Sequence, residues 1–203
     1  MHAMIFSWEY PPRTVGKLAD YVKELAVQLV KNDVKTYVVT YHDYLTGQHD
    51  EPEGVKTYRV TNPVRTHIGV LTWVLTLNQE IERAATDIYY NTSKQLNLID
   101  VHDWHFIPAA VTLKKALNLP FVYSVESLEE HRSPFNMAIK SIEWLGMYEA
   151  AKLIVKSEWM RDEVFRLYKV PLEKVKIISL KPPSWIKNIL EIYENVGGGE
   201  TVK

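Results

Sequence analysis

The 203-residue chain has no cysteine. Disulfides and thiolate-bound metals are therefore excluded, and the composition fits a reducing, cytoplasmic compartment. Net charge is also lacking: 24 Lys and Arg face 25 Asp and Glu, a formal −1. No global field is available to hold nucleic acid or an anionic membrane, so neither is expected as a partner. No apolar run approaches the ~20 residues of a membrane-spanning helix. The apolar start Ala3-Met4-Ile5-Phe6 is cut off by Glu9, Pro11 and Pro12, so no secretion signal is visible. Glycine is scarce, with 8 in all, three of them in Gly197-Gly198-Gly199. The body has few positions where a left-handed backbone comes without strain. The 7 histidines are scattered, and there is no His-Glu-x-x-His, Gly-x-Ser-x-Gly or Walker spacing. Neither a metal nor a cofactor is expected.

What remains is an ordinary globular balance, 46% hydrophobic and 24% charged. Aromatics are well supplied, with 6 Trp and 12 Tyr. Sugar-facing surfaces use such side chains, and large cores use them more often.

Strand and helix patterns alternate along the chain. Residues 3–6 form an apolar run. A turn segment, Trp8 to Gly16, leads into a helical stripe of Leu18, Val22, Leu25, Ala26, Leu29 and Val30. Strand patterns follow at Lys35–Tyr41, Val55–Thr61, Leu98–Val101, Phe121–Val125, Lys152–Val155 and Val175–Ser179. Helical patterns lie at 69–95, Pro108–Leu117, Phe135–Ala151 and Ser157–Tyr168. His42 to Gly54 is polar and reads as a surface loop. The expected fold is α/β, a Rossmann-like, doubly wound, mostly parallel sheet flanked by helices. Ser184 is a candidate cap for a last amphipathic helix, 184–195, with Trp185, Ile186, Ile189, Leu190 and Tyr193 as its stripe. That stripe is read as a docking face closing a single domain, 1–196. A partner-binding face is the other reading, and 197–203 is expected to be a flexible tail.

Two loops stand at strand ends, where open α/β sheets bind ligands. Gly16 precedes the first helix, whose leading amides attract anions when unpaired. Lys17 beside it is either a phosphate contact or a surface residue. His102-Asp103-Trp104 follows a strand with an imidazole, a carboxylate and an indole, groups suited to a sugar's hydroxyls and ring face. The alternative is a loop whose polar groups cap the next helix. Glu126, Glu129, Glu130, His131 and Arg132 cluster after another strand. They are either acid–base carboxylates or, more commonly for such clusters, a solvated loop.

The segment Trp8-Glu-Tyr-Pro-Pro-Arg-Thr-Val-Gly-Lys-Leu-Ala resembles the opening of GT-B glycosyltransferases of the glycogen and starch synthase type. His102-Asp103-Trp104 with Pro108-Ala109 beyond it, and Ile142-Glu143-Trp144 running on to Ser157-Glu158-Trp159, are similar to later segments of that family's N-terminal domain, particularly in archaeal-type members. The resemblance covers Met1 to about Ser179 and is specific in combination. It implies a retaining transfer of glucose from nucleotide-glucose to an α-glucan or maltooligosaccharide. His102 would contact the transferring sugar. Gly16 and Lys17 would face the donor. Tyr10, Arg13, Asp103, Trp104 and Glu126 would lie on the acceptor side.

Several departures qualify that expectation. Lys17 stands where the family has a second glycine, Glu126 where it has a histidine, and Ala151 where aspartate is common. The Asn-Gly-Ile/Val-Asp that opens the family's second domain is missing after Ile178-Ser179. The resemblance therefore implies an N-terminal domain rejoined near 180–183 to its returning helix, by a natural or an engineered excision. Such a domain would be inactive alone and complemented by a C-terminal domain chain. The alternative is a non-catalytic glucan-binding or stability-selected scaffold.

Overall fold

A computed structural model describes residues 1–179 and 184–198. Its strands are β1 (His2–Ser7), β2 (Lys35–Tyr41), β3 (Gly47–Asp50), β4 (Lys56–Val60), β5 (Leu98–His102), β6 (Phe121–Ser124), β7 (Lys152–Val155) and β8 (Val175–Ile177). Its α-helices are α1 (Lys17–Lys31), α2 (Val70–Asn91), α3 (Ile107–Leu117), α4 (Met137–Glu149), α5 (Glu158–Tyr168) and α6 (Trp185–Gly197). The strand order is β3-β4-β2-β1-β5-β6-β7-β8, and every neighbouring pair is parallel except β3 with β4. This is the expected Rossmann-like sheet. The chain grows outward from β1 through β2 to β4, and α2 then carries it back to β5. The order reverses between β1 and β5, and the carboxyl ends of these two strands border the crevice where such sheets bind ligands.

β1 is apolar throughout its middle because both its faces are covered. Ala3, Met4, Ile5 and Phe6 are wholly buried. Alternate residues serve two cores. Met4 and Phe6 join Val39, Val101, Phe121 and Leu153 beneath α2, α3, α4 and α5. Ala3 and Ile5 join Val38, Leu98, Val122 and Ile154 beneath α1 and α6. Where α3 meets α4, a Cβ on Gly146 would lie 2.6 Å from the Ile107 side chain, so the close approach needs glycine.

Side-chain caps start two of the six described α-helices. The Asn136 side chain accepts from the Ala138 amide at 2.9 Å, starting α4 at Met137, two residues after the expected start. Ser157 caps α5 from the Met160 amide at 3.2 Å. Ser184 does not cap α6: its backbone is already helical and its side chain accepts no cap bond. The stripe on α6 does dock, with Trp185, Ile189, Ile192 and Tyr193 buried. The helix runs on through Gly197, and the Gly198 amide closes on the Glu194 carbonyl at 2.8 Å, so both glycines belong to the folded body. The expected joint at 180–183 and the tail at 199–203 lie outside the described residues. The polar segment expected as a loop contains β3, which pairs with β4 through its main chain while Gly47, Gln48 and Asp50 stay exposed. No described helix is long and apolar enough to cross a membrane.

Candidate active site

A cleft of about 530 Å³ opens over the carboxyl ends of β1, β5 and β6. One wall is a stack of three rings. Trp8 lies 5.0 Å from His105 at 13°, and His105 lies 4.3 Å from Trp104 at 24°. Burial, with the nearby Arg132 and Arg13 guanidiniums, lowers the His105 pKa to about 3, so this imidazole is neutral. Trp104 is 2% exposed, and its indole N–H has no partner. Arg132 reaches over the Trp104 ring at 5.9 Å and donates to Glu129 Oε2 at 3.1 Å. Trp8, the partly exposed indole of the stack, lies beside a guanidinium and carboxylates and can meet a pyranose's apolar surface and its hydroxyls.

The turn that brings Trp104 to the cleft is strained. Asp103 has φ 64° and ψ 175°, a region that side chains other than glycine rarely enter. Neighbours impose it: the Asp103 amide donates to the Ser124 carbonyl at 3.0 Å, and Ser127 Oγ donates to Asp103 Oδ1 at 3.2 Å. Burial pushes the Asp103 carboxyl up to about 6, with Glu126 adding to the rise and Arg132 opposing it.

His102 ends β5 and is fully buried. Its Nδ1 lies 3.4 Å from Glu126 Oε1, and its Nε2 lies 3.3 Å from Asp100 Oδ2. The second contact lacks hydrogen-bond alignment and acts through charge. Burial alone would lower the imidazole's pKa, but Asp100 and Glu126 outweigh it and raise it to about 9. His102 is therefore an imidazolium at neutral pH. Glu126 also pairs with Lys156, whose ammonium sits 4.2 Å from the Tyr21 ring centroid. Burial opposes ionisation of Glu126, yet His102 and Lys156 hold its pKa below the usual value. Charge thus alternates along Asp100, His102, Glu126 and Lys156.

The cluster after β6 is only partly a solvated loop: Glu130 and His131 are exposed, while Glu129 is built into the structure. Glu129 is 1% exposed, takes the Asn136 amide at 2.7 Å, and donates its own amide to Glu143 Oε1 at 2.9 Å. Burial raises the Glu143 pKa to about 7.

On the other side of the crevice, the start of α1 already holds an anion from the chain itself. Glu9 Oε2 accepts from the Val15 amide at 2.6 Å and the Gly16 amide at 2.7 Å. These two amides precede the helix, so Glu9 stands at its entrance without taking the amides of its first turn. Gly16 has an extended backbone, and a Cβ there would meet Glu9 Oε1 at an ordinary 3.4 Å. Lys17 is exposed as the first residue of α1. Arg13 donates to Asp43 at 3.1 Å and to the Trp8 carbonyl at 3.1 Å, with its guanidinium over Trp8 and Tyr41. Tyr10, expected in the acceptor wall, is 1% exposed and packs in the core beneath α1, because its ring joins the apolar face of the loop.

The structure thus gathers Asp103 and Trp104 at the cleft, sets Arg13 behind Trp8, and buries His102 with Glu126 beside them. Asp100, His105, Arg132 and Lys156 complete the arrangement without having been singled out as site residues. Asp100 carried a signal, as a lone carboxylate inside the apolar strand Leu98-Ile99-Asp100-Val101. Lys156 carried none.

Residues 18–180 match the family model for Glycosyltransferase Family 4. An uncharacterized glycosyltransferase of Methanocaldococcus jannaschii is 34% identical over 185 residues, covering 88% of this chain and 45% of that protein. Glycogen synthase of Mycobacterium tuberculosis is 24% identical over 196 residues, covering 88% of this chain and 47% of that protein. Sucrose-phosphate synthase from Thermosynechococcus elongatus superposes with a TM-score of 0.72 at 15% identity, over 88% of this chain and 47% of that one. A second structure of that enzyme, labelled 27_220_406_426, gives a TM-score of 0.69 at 14% identity over 97% of both chains. The structural likenesses establish the fold, that of GT-B glycosyltransferases. The chain spans about half the length of the curated relatives it matches. The family match runs from the first turn of α1 to beyond β8, and the chain belongs to glycosyltransferase family 4.

Proposed function

We propose that this chain is the acceptor-side, N-terminal part of a retaining glycosyltransferase of the glycogen synthase kind, inactive alone, whose parent reaction moves glucose from nucleotide-glucose to an α-glucan end. The observation that carries this reading is the Trp8–His105–Trp104 stack facing Arg132 at the β1/β5 switch point. A glucan end would rest against Trp8, the partly exposed indole of the stack, and give hydroxyls to Arg132 and Asp103. His102, as an imidazolium, would donate to a hydroxyl of the transferring sugar once Glu126 and Lys156 move aside. Charge on the leaving nucleotide must be stabilised in the transition state. Glu9 holds the Val15 and Gly16 amides and puts a carboxylate at the entrance of α1, which works against a nucleotide's charge there, so the reading assigns that stabilisation mainly to a complementary C-terminal domain chain. A match over 97% of both chains to a sucrose-phosphate synthase structure of similar extent is consistent with reading α6 as the helix that closes this domain. A cytoplasmic setting accords with the cysteine-free composition.

The burial of His102 favours a second reading, a non-catalytic glucan-binding or stability-selected scaffold. Titration with maltooligosaccharide and with nucleotide-glucose, read by tryptophan fluorescence, is paired with a transfer assay on this chain alone and mixed with a relative's second domain. The first reading expects a maltooligosaccharide response, lost in Trp104→Ala, and transfer only in the mixture. Glucan binding without transfer in any pairing supports the second. No maltooligosaccharide response at all overturns the cleft assignment.

A further inference from the structure

We propose that Tyr193 on α6 is a positioning residue for His102, acting through the Asp100 carboxylate that lies between them. Asp100 is fully buried and points from β5 to the face covered by α1 and α6. An ionised carboxylate there costs several kcal/mol unless its oxygens are occupied. Ser124 Oγ, from the neighbouring strand, donates to Oδ1 at 2.9 Å. The Tyr193 hydroxyl, from a helix 93 residues along the chain, donates to Oδ2 at 2.5 Å. Oδ2 is also the oxygen that faces His102 Nε2, at 3.3 Å. Tyr193 therefore fixes the oxygen whose charge bears on the imidazole. An apolar docking stripe would need only a phenylalanine at this position; the hydroxyl has a separate use.

Among the described residues, the charged and titratable groups that bear on His102 come from five elements. Asp100 comes from its own strand, and Glu126 follows β6. Lys156 follows β7 and reaches the site through Glu126. Tyr21 of α1 covers the ring edge-on at 5.7 Å, and α6 acts through Tyr193 and Asp100. The consequence for glucose transfer rests on the reading of His102 as the sugar-contacting group; the positioning itself does not.

The test is an NMR titration of the His102 imidazole in the whole chain without sugar, with His102→Gln for assignment. Asp100 is anionic whether or not His102 is protonated, and the Tyr193 bond is stronger where no imidazolium compensates that charge, so it favours the neutral imidazole. Removing its hydroxyl in Tyr193→Phe raises the His102 midpoint by about half a unit to one unit, a ~3- to 10-fold gain in proton affinity. Site-specific 3-fluorotyrosine at the same position, a stronger donor of nearly the same shape, lowers the midpoint. Asp100→Asn lowers it by more than about one unit. Shifts of opposite sign in the two Tyr193 variants support the proposal. Midpoints within about 0.2 unit of wild type in the folded fluorotyrosine protein overturn it, even where Tyr193→Phe fails to fold. Because no sugar is present, a flat result removes the positioning role and leaves the transfer reading to the mixed-domain assay. Failed transfer, in turn, leaves the titration standing.

Discussion

The two faces of the sheet bury different things. Beneath α2 to α5 the strands present Met4, Phe6, Val39, Val101, Phe121 and Leu153, an apolar layer. Beneath α1 and α6 the same strands, one residue out of phase, begin with Ala3, Ile5, Val38, Leu98 and Val122. Toward their carboxyl ends they turn polar, with Ser7, Thr40, Asp100, His102 and Ser124 all buried. Among the strand side chains, one face is apolar and the other ends in charged and polar groups; the buried Glu143 on the first side comes from α4. Buried ions are generally a weaker source of stability than apolar side chains of the same volume, so the chain from Asp100 to Lys156 points to the placing of His102 rather than to stability.

Breaking the charged face should cost most. Asp100→Leu leaves the His102 imidazolium and the Tyr193 and Ser124 hydroxyls without their acceptor, and should lower unfolding stability by about 3–5 kcal/mol in urea titration. Adding His102→Leu should recover much of that, since Glu126 keeps Lys156. A single variant as stable as wild type would remove the contrast between the faces. On the apolar face, Leu153→Ala should cost about 2–5 kcal/mol through lost burial and a cavity, while the His102 titration stays where it is. A shifted titration there would mean that the two faces are not independent.

The charged face should also give stability its pH dependence. The His102 pKa is raised on folding to about 9, so its contribution is complete below the unfolded value near 6.5 and is lost as pH rises toward 9. Denaturant unfolding at the two ends of that window should differ by roughly 3 kcal/mol, and Asp100→Asn should flatten the slope. The smallest effect is expected at Glu9. Glu9→Gln removes the negative charge from the start of α1 and one acceptor from the Val15 and Gly16 amides, for about 0.5–1 kcal/mol in the same experiment.

Where the sequence was readable, one local cause dominated. Lys35–Tyr41 and Lys152–Val155 fall on their expected bounds because β-branched and aromatic runs flanked by polar breaks leave little choice. Ser157 caps α5 through a bond only three residues long. β3 was unreadable because it is held by main-chain pairing to β4 and has no apolar side of its own. Tyr10 was misplaced because a loop shows no periodicity from which to read which side of it packs. His102-Asp103-Trp104 was found from its place at a strand end, but its burial was not, since the covering groups come from Tyr21, Glu126 and Lys156.

The sequence by itself determined the alternation of strands and helices, the place of the β1 loop and the His-Asp-Trp turn at strand ends, and the apolar stripe of α6. These follow from periodicity and strand-end position, which are properties of neighbouring residues. Only the tertiary structure decided that Glu9 fills the start of α1, that His105 stacks between two indoles as a neutral base, and that His102 is charged. Each depends on groups brought within a few ångströms from distant positions, and in a buried site those distances, not the residue types, determine which charge survives.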